Sequence, residues 1–186
     1  VFTYDLASGA VAPLFWAPIR VPRGGWGFSA ISRLGPDRVV LDTESTRATL
    51  LEFPWPALIT RPDSLAPRPR SLTVGLGRDR QPVYSPDGRL VAFSSNRSGN
   101  VDLWLVDRET GELRQLTDDP ADDWDPAFSP DGEQVLWSSN RAGPMEIWIA
   151  DADGSHARQV TRDGVDAENP TMTADGEWIV YASGND

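Results

Sequence analysis

One offset organises this sequence. Ser-Pro-Asp-Gly at 85–88 recurs at 129–132, and Thr-Ala-Asp-Gly follows at 173–176, each step being 44 residues. The same shift, without a gap, superposes Pro82, Pro126 and Pro170; Phe93, Trp137 and Tyr181; Asn96 and Asn140; Arg97 and Arg141; Trp104 and Trp148; Thr117 and Thr161. A chain written this way must set equivalent residues in equivalent surroundings, so it folds as a row of like units that bury apolar residues against one another. Helical repeats of similar length would carry apolar residues at 3.6 spacing, whereas here short strand-like runs alternate with turn residues.

Within one unit the pattern predicts four strands, A to D: Pro82–Ser85, Arg89–Ser94, Asp102–Asp107 and Leu113–Thr117. Pro-Asp-Gly supplies the A-to-B turn, with Pro fixing φ and Gly free to take φ > 0. Arg108-Glu109-Thr110-Gly111 and Ala152-Asp153-Gly154 do the same between C and D. Strand C is apolar on both faces, as a sheet stacked between two neighbouring sheets requires. The period and the four strands define an all-β fold, a β-propeller of four-stranded antiparallel blades.

The first third fits more loosely. Trp26–Ser32, Val39–Asp42, Thr49–Phe53 and Arg70–Val74 read as strands A to D, with Gly35-Pro36-Asp37 as a turn. The proline-rich stretch Pro54–Pro69 cannot pair as a central strand and reads as a surface loop. Phe2–Leu6 and Ala10–Phe15, joined at Ser8-Gly9, match strands C and D of a preceding blade, and Trp178–Ser183 matches a final strand B. The expected organisation is a half blade (1–15), a blade with the insertion (26–74), two regular blades (79–117 and 123–161) and a half blade (167–186). Either flanking sequence supplies more blades, or the halves pair into one composite blade; propellers have roughly four to eight. Opening on Val1 without a methionine, the sequence reads as an excerpt of a larger ring.

Ser-Pro-Asp-Gly, Ser-Ser-Asn-Arg at 94–97, the Asp-Leu-Trp and Glu-Ile-Trp strands, Asp-x-x-x-Gly and Gln-Leu-Thr at 115–117 together resemble the TolB-like, WD-like propeller repeat, specifically over Gln81–Asp186 and weakly over Val1–Val74. Two departures are Thr173-Ala174 in place of Ser-Pro and Gly35-Pro36-Asp37-Arg38, which lacks the turn glycine. The resemblance implies a recognition or scaffold module. Relatives occur as TolB-type periplasmic scaffolds, as propeller halves of prolyl oligopeptidase-like peptidases and as sensor-like regions of bacterial serine/threonine kinases and regulators. Asp-Asp-Trp-Asp-Pro at 122–126 and Asp-Ala-Glu-Asn-Pro at 166–170 are most similar to the last group. The expected compartment is therefore periplasmic or extracytoplasmic, with further domains linked in the same chain.

Acids outnumber bases by 28 to 17, a formal charge of -11, which repels phosphate backbones and anionic lipid. No apolar run approaches membrane-spanning length. Nucleic acid and direct membrane contact are thus poor expectations, and a protein or small-molecule partner remains. The chain has no cysteine and one histidine, His156 at the Asp153-Gly154-Ser155 turn, so a thiol nucleophile and a transition-metal site lack their ligands. Gly27-Phe28-Ser29-Ala30-Ile31 fails the G-x-S-x-G elbow at its last glycine, and no phosphate-binding loop is present. No catalytic residue and no resident cofactor are assigned. The aspartates at 118, 119, 122, 123 and 125 leave calcium as a minor alternative to a solvated acidic loop.

Because strand direction alternates, the D-to-A and B-to-C connections share one face of the disc. That face should carry Asp122, Asp123, Trp124 and Asp125 beside Asn96, Arg97, Asn140 and Arg141, while Gln81, Asp125 and Asn169, each before a proline, should ring the channel mouth. Trp124 stands out: Arg80 and Glu168 occupy its equivalents, whereas Trp104, Trp137 and Trp148 sit where inter-blade packing explains them. These ten residues form the expected binding site. The competing role for the Asn-Arg pair is a turn cap whose arginine binds a neighbouring blade's acid.

Overall fold

The computed structural model describes residues 2–4, 11–13, 31–34, 38–41, 49–54, 69–75, 77–162 and 164–184. Every regular element among them is a β-strand, and no helix among the described residues is long and apolar enough to cross a membrane. Strands β1 (Phe2–Tyr4) and β2 (Val11–Pro13) pair antiparallel. Next come three antiparallel sheets, each laid out in chain order. They comprise β3 (Ile31–Leu34), β4 (Arg38–Leu41), β5 (Leu51–Pro54) and β6 (Arg70–Ser71); β7 (Asp79–Tyr84), β8 (Leu90–Ser95), β9 (Asp102–Asp107) and β10 (Leu113–Gln115); and β11 (Asp123–Phe128), β12 (Gln134–Ser139), β13 (Glu146–Asp151) and β14 (Arg158–Gln159). A final pair joins β15 (Ala167–Met172) to β16 (Ile179–Ser183) as a separate two-stranded sheet. Ser8-Gly9, residues 26–30, the Gly35-Pro36-Asp37 turn and residues 55–68 of the proline-rich insertion lie outside the described residues.

Two strand boundaries differ from expectation for identifiable reasons. The inner strand β7 starts at Asp79, so Pro82 falls inside it rather than at its head. Pairing breaks between Arg80 and Val83 in a bulge that takes Pro82 out of the ladder, where its missing N–H is not needed. The same break separates Trp124 from Ala127 and Glu168 from Thr171. At the outer edge, β10 ends at Gln115, where the regular ladder gives way: the Leu116 and Thr117 amides both donate to the Leu103 carbonyl, at 2.8 and 3.4 Å, and the Thr117 hydroxyl accepts the Leu103 amide at 2.9 Å. Thr161 does this for Ile147 at 2.9 Å and Thr73 for Leu50 at 3.0 Å, which likewise stops β6 before Val74.

The A-to-B turns form as their residues dictate. Ser85 donates to Asp87 at 2.6 Å and accepts the Leu90 amide at 2.9 Å, while Gly88, at φ 70, donates to the Ser85 carbonyl at 2.8 Å. In the last unit the Thr173 hydroxyl donates to Asp175 and accepts the Trp178 amide at 3.1 Å, so the departure from Ser-Pro keeps the bonds that matter.

Each apolar core lies between consecutive blades. Leu50 and Leu72 meet Tyr84, Val91, Phe93 and Val106; Leu103, Leu105 and Leu116 meet Val135 and Trp137; Leu136, Ile147 and Ile149 meet Ala167, Met172 and Ile179. Phe93 and Trp137, equivalent in the repeat, are both fully buried. Burial of each such side chain contributes about 2–3 kcal/mol.

Candidate binding face at the channel mouth

The D-to-A loop of one blade is knitted to the B-to-C loops around it. Asn100 donates to the carbonyls of Asp119 and Ala121 at 2.9 and 2.6 Å, and the Val101 amide donates to Asp122 at 3.0 Å. From the next blade, Asn140 accepts the Asp122 amide at 2.9 Å, as Asn96 accepts that of Arg78 at 2.8 Å. These two asparagines therefore cap the incoming loop.

Arg97 and Arg141 turn inward. Arg97 pairs with the buried Asp79 at 2.6 Å, donates to Ser95 at 3.0 Å and lies 5.1–5.2 Å from the ring centres of Trp104 and Phe93. Arg141 pairs with Asp123 at 2.8 Å and with Asp119, donates to Ser139 at 2.9 Å and sits 4.5 Å from the Trp148 ring centre and 5.5 Å from that of Trp137. Asp123, fully buried, also accepts the Trp137 indole N–H at 3.1 Å. Its carboxyl is raised above the ordinary range chiefly by burial, against the pull of its Ser139, Thr117 and Arg141 partners. The acid that holds each arginine comes first from the arginine's own blade, 18 residues upstream. Only Asp119 is contributed by the preceding unit.

Gln81, Asp125 and Asn169 sit at the bulges, all in the left-handed region, at φ 52, 53 and 54. A non-glycine residue there is strained by about 1–3 kcal/mol, least for Asn and Asp. Three successive blades repeat the strain, and it turns this side chain out of the pleat. The Gln81 amide group donates to the Asp125 carboxylate, and its carbonyl lies 3.4 Å from the Asp125 N–H; the Asn169 N–H donates to Ser138 at 3.2 Å.

Around them lies a depression of about 330 Å³, lined by Arg80, Gln81, Trp124, Asp125 and Asn169 with the three prolines that follow the ring. An adjoining hollow of about 420 Å³ adds Met145 and Glu168. Trp124, half-buried, borders both. Asp125 is raised above the ordinary carboxylate range by burial first and by the Glu168 charge second, opposed by bonds from the Asn169 amide, Ser138 and Gln81.

So the ten expected residues divide. Gln81, Trp124, Asp125 and Asn169 converge on one opening; Asn96, Arg97, Asp122, Asp123, Asn140 and Arg141 form the framework behind it. Of the five aspartates, Asp119 and Asp123 share Arg141, Asp122 accepts the Val101 amide and Asp125 is bonded by Gln81, and no group of metal-ligating side chains converges among the described residues. Arg80, Glu168 and Met145 join the lining. The 44-residue offset that makes Arg80 and Glu168 equivalents of Trp124 carries the signal for two of them, whereas Met145 on a B-to-C loop carries none. His156 is exposed at a turn, its Nδ1 2.7 Å from Asp151 and 3.2 Å from Ser155. Both contacts use the same nitrogen, so no relay from a base to a nucleophile is built there.

The sequence profile of the TolB beta propeller domain matches residues 69–186. The chain belongs to this family. The Tol-Pal system protein TolB of Anaeromyxobacter dehalogenans (strain 2CP-C) is 34% identical over 119 residues, which are 56% of this chain and 27% of that protein. The chain therefore spans less than a third of the curated TolB relatives it matches. Among solved structures, TolB from Acinetobacter baumannii superposes with a TM-score of 0.68 at 20% identity, over 84% of this chain and 37% of the other. A puromycin hydrolase superposes with a TM-score of 0.62 at 18% identity, over 83% of this chain and 25% of the hydrolase. At these identities both likenesses concern the fold. As a TolB-type propeller, the chain is a binding or scaffold module.

Proposed function

We propose that this chain recognises a protein or small ligand through the face that carries the channel mouth, as part of a larger bacterial protein, and that it performs no reaction of its own. The observation that carries this reading is the ring of Gln81, Asp125 and Asn169, held at left-handed φ beside a half-buried Trp124. A tryptophan bordering two hollows offers a large contact area at low entropy cost. The periplasmic or extracytoplasmic compartment, attachment to further domains and a sensor role of the kind seen in kinase-linked propellers belong to this proposal; the Tol-Pal name of a relative and the family's scaffold character support it.

Photo-crosslinking tests it. A benzoylphenylalanine at 124 should trap a partner, and one at Glu109, on a C-to-D turn of the opposite face, should not; crosslinks from 109 alone would reject the reading. A second reading, a gating propeller of a prolyl oligopeptidase-like serine peptidase, draws on the fold likeness to the puromycin hydrolase. An elbow serine encoded downstream would favour it.

A further inference from the structure

We propose that the seam between the β7–β10 and β11–β14 blades is a pH-sensitive joint: it closes in acid, when Asp102 carries a proton, and loosens once that proton leaves, shifting the loop that presents Trp124 at the channel mouth. The link to the mouth rests on the recognition reading above and assigns that site its regulation; the joint itself stands without it.

The repeat supplies the comparison. In the seam between the β3–β6 and β7–β10 blades one carboxylate, Asp79, meets one guanidinium, Arg97. Thr73 and Thr117 fix the equivalences, because each hydroxyl accepts the amide of a strand-C leucine, Leu50 in one blade and Leu103 in the next. Thr49 thus stands where the second seam has Asp102, and Gly75 where it has Asp119. That second seam sets three carboxylates, Asp102, Asp119 and Asp123, around one guanidinium, Arg141. Asp102 and Asp123 are only 1% and 0% exposed, so water does little to screen their repulsion.

Asp102 is the member that takes the proton. Asp119 and Asp123 both bind Arg141, and Asp123 also accepts the Trp137 indole N–H. Among the described residues Asp102 has neutral partners alone: the Ser98 hydroxyl, the Gln115 amide at 3.1 Å and the Thr117 hydroxyl at 3.5 Å. Thr117 also bonds Asp123, and one hydroxyl proton serves one carboxylate at a time. A proton on Asp102 frees the hydroxyl for Asp123. The charged groups facing Asp102 are Asp123 on β11, Asp119 in the loop after β10 and, through both, Arg141 on the β12–β13 loop. Arg97, on the β8–β9 loop, is held in the first seam by Asp79. Burial raises the Asp102 carboxyl above the ordinary range, the Ser98 bond opposes this, and the Asp123 and Asp119 charges raise it further. A carboxyl raised on folding contributes stability that is present below its unfolded pKa and is lost as pH climbs through the folded one. The seam therefore tightens in acid and loosens as pH rises above the ordinary carboxylate range.

The same groups hold the loop that leads to the mouth. Asn100 bonds the carbonyls of Asp119 and Ala121, the Val101 amide bonds Asp122, and the Asp123 amide donates to the Val101 carbonyl at 2.8 Å. Asp102 follows directly on that clamp, and Trp124 and Asp125 follow directly on Asp123. A charge on Asp102 pushes against Asp119 and Asp123, the two ends of the clamped loop.

The test uses the full 186-residue chain, labelled with ¹⁵N, with each indole N–H assigned by a Trp→Phe variant. The Trp137 indole, bonded to Asp123, reports on the second seam, and the Trp104 indole, packed in the first, is the control. Between about pH 4 and pH 8 the protection of Trp137 from solvent exchange, relative to free indole in the same buffer, should fall by at least about threefold, and that of Trp104 by less than about twofold. Asp102→Asn, a neutral stand-in for the protonated acid, should hold Trp137 protected throughout. Asp102→Thr, which restores the residue of the first seam, should do the same. No change with pH in the parent, an equal change at Trp104, or a change that survives both substitutions overturns the proposal. The Trp124 resonance should move over the same pH range in the parent and less in Asp102→Asn; an undiminished movement would belong to Asp125 and overturns the link to the mouth. Crosslinking at 124 tests recognition itself, so the failure of one reading is distinguishable from the failure of the other.

Discussion

Replacing Arg141 with methionine keeps the apolar stem over Trp148 and Trp137 and removes the charge. What remains is a fully buried Asp123 carboxylate, still bonded to the Trp137 indole but without its cation. Breaking one partner out of a buried ion pair costs about 3–5 kcal/mol. The guanidinium is about one-fifth exposed, which places the expected loss near the lower figure, about 3 kcal/mol. With an m-value of about 2 kcal/mol/M, the urea midpoint should fall by about 1.5 M at pH 7. The sign of the pH dependence follows from burial. Asp123 already titrates above its ordinary value in the folded chain, and losing Arg141 raises it further. A carboxyl raised on folding contributes stability that is present below its unfolded pKa and is lost as pH climbs through the folded one. The deficit of Arg141→Met should therefore be largest at neutral pH and shrink toward pH 4, and Asp123→Asn in the same chain should recover part of it at pH 7. Urea melts of the two variants and the parent across pH 4–8 decide the matter. A midpoint within about 0.2 M of the parent, or a deficit equal at every pH, would refute the argument that the arginine compensates a buried charge.

Gly154→Ala should destabilise by about 1–3 kcal/mol in urea melts, since φ is +94 and the added carbon would stand 2.8 Å from the Leu116 carbonyl oxygen. At the ring, Asp125→Asn should hold its fold whereas Asp125→Val, β-branched at φ 53, should lose about 2 kcal/mol by the same assay. Because the Asp125 carboxyl is raised on folding, Asp125→Asn should also gain stability relative to the parent as pH increases through that range, read from melting temperatures. NMR titration of His156 should give a pKa above the ordinary histidine value, the Asp151 hydrogen bond being the main cause, and Asp151→Asn should return it. Its small stabilising effect is present at low pH and is lost as pH rises through the folded value.

The repeat made the blades legible because the A-to-B turn glycines Gly88, Gly132 and Gly176 and the aromatics of strands B and C recur in step. The bulged inner strands were not legible: a residue before proline normally reads as extended, and although Asp and Asn tolerate left-handed backbone, Gln81 at the equivalent position does not announce it. The arginine role was hidden by distance along the chain, since Asn96-Arg97 and Asn140-Arg141 look alike whether they face a ligand or an internal acid. The sequence does contain the decisive pairing. Asp79 precedes Arg97 by 18 residues and Asp123 precedes Arg141 by 18, and where the next unit has Ala167 the matching position is Asn185. Acid and arginine are present together and absent together, as partners within the fold would be. A ligand-binding arginine would have no reason to track that aspartate.

The placement of the apolar cores gives the 44-residue unit the character of an exchangeable part. Leu103, Leu105 and Leu116 offer one kind of surface and Val135 and Trp137 another, so every interface is head-to-tail. A second copy of residues 123–166 inserted in tandem would meet a surface it already fits on either side. Duplication within the gene can thus change the number of blades before any packing has to be reinvented, and the residues left free to diverge are those at the mouth, where Arg80, Trp124 and Glu168 already differ.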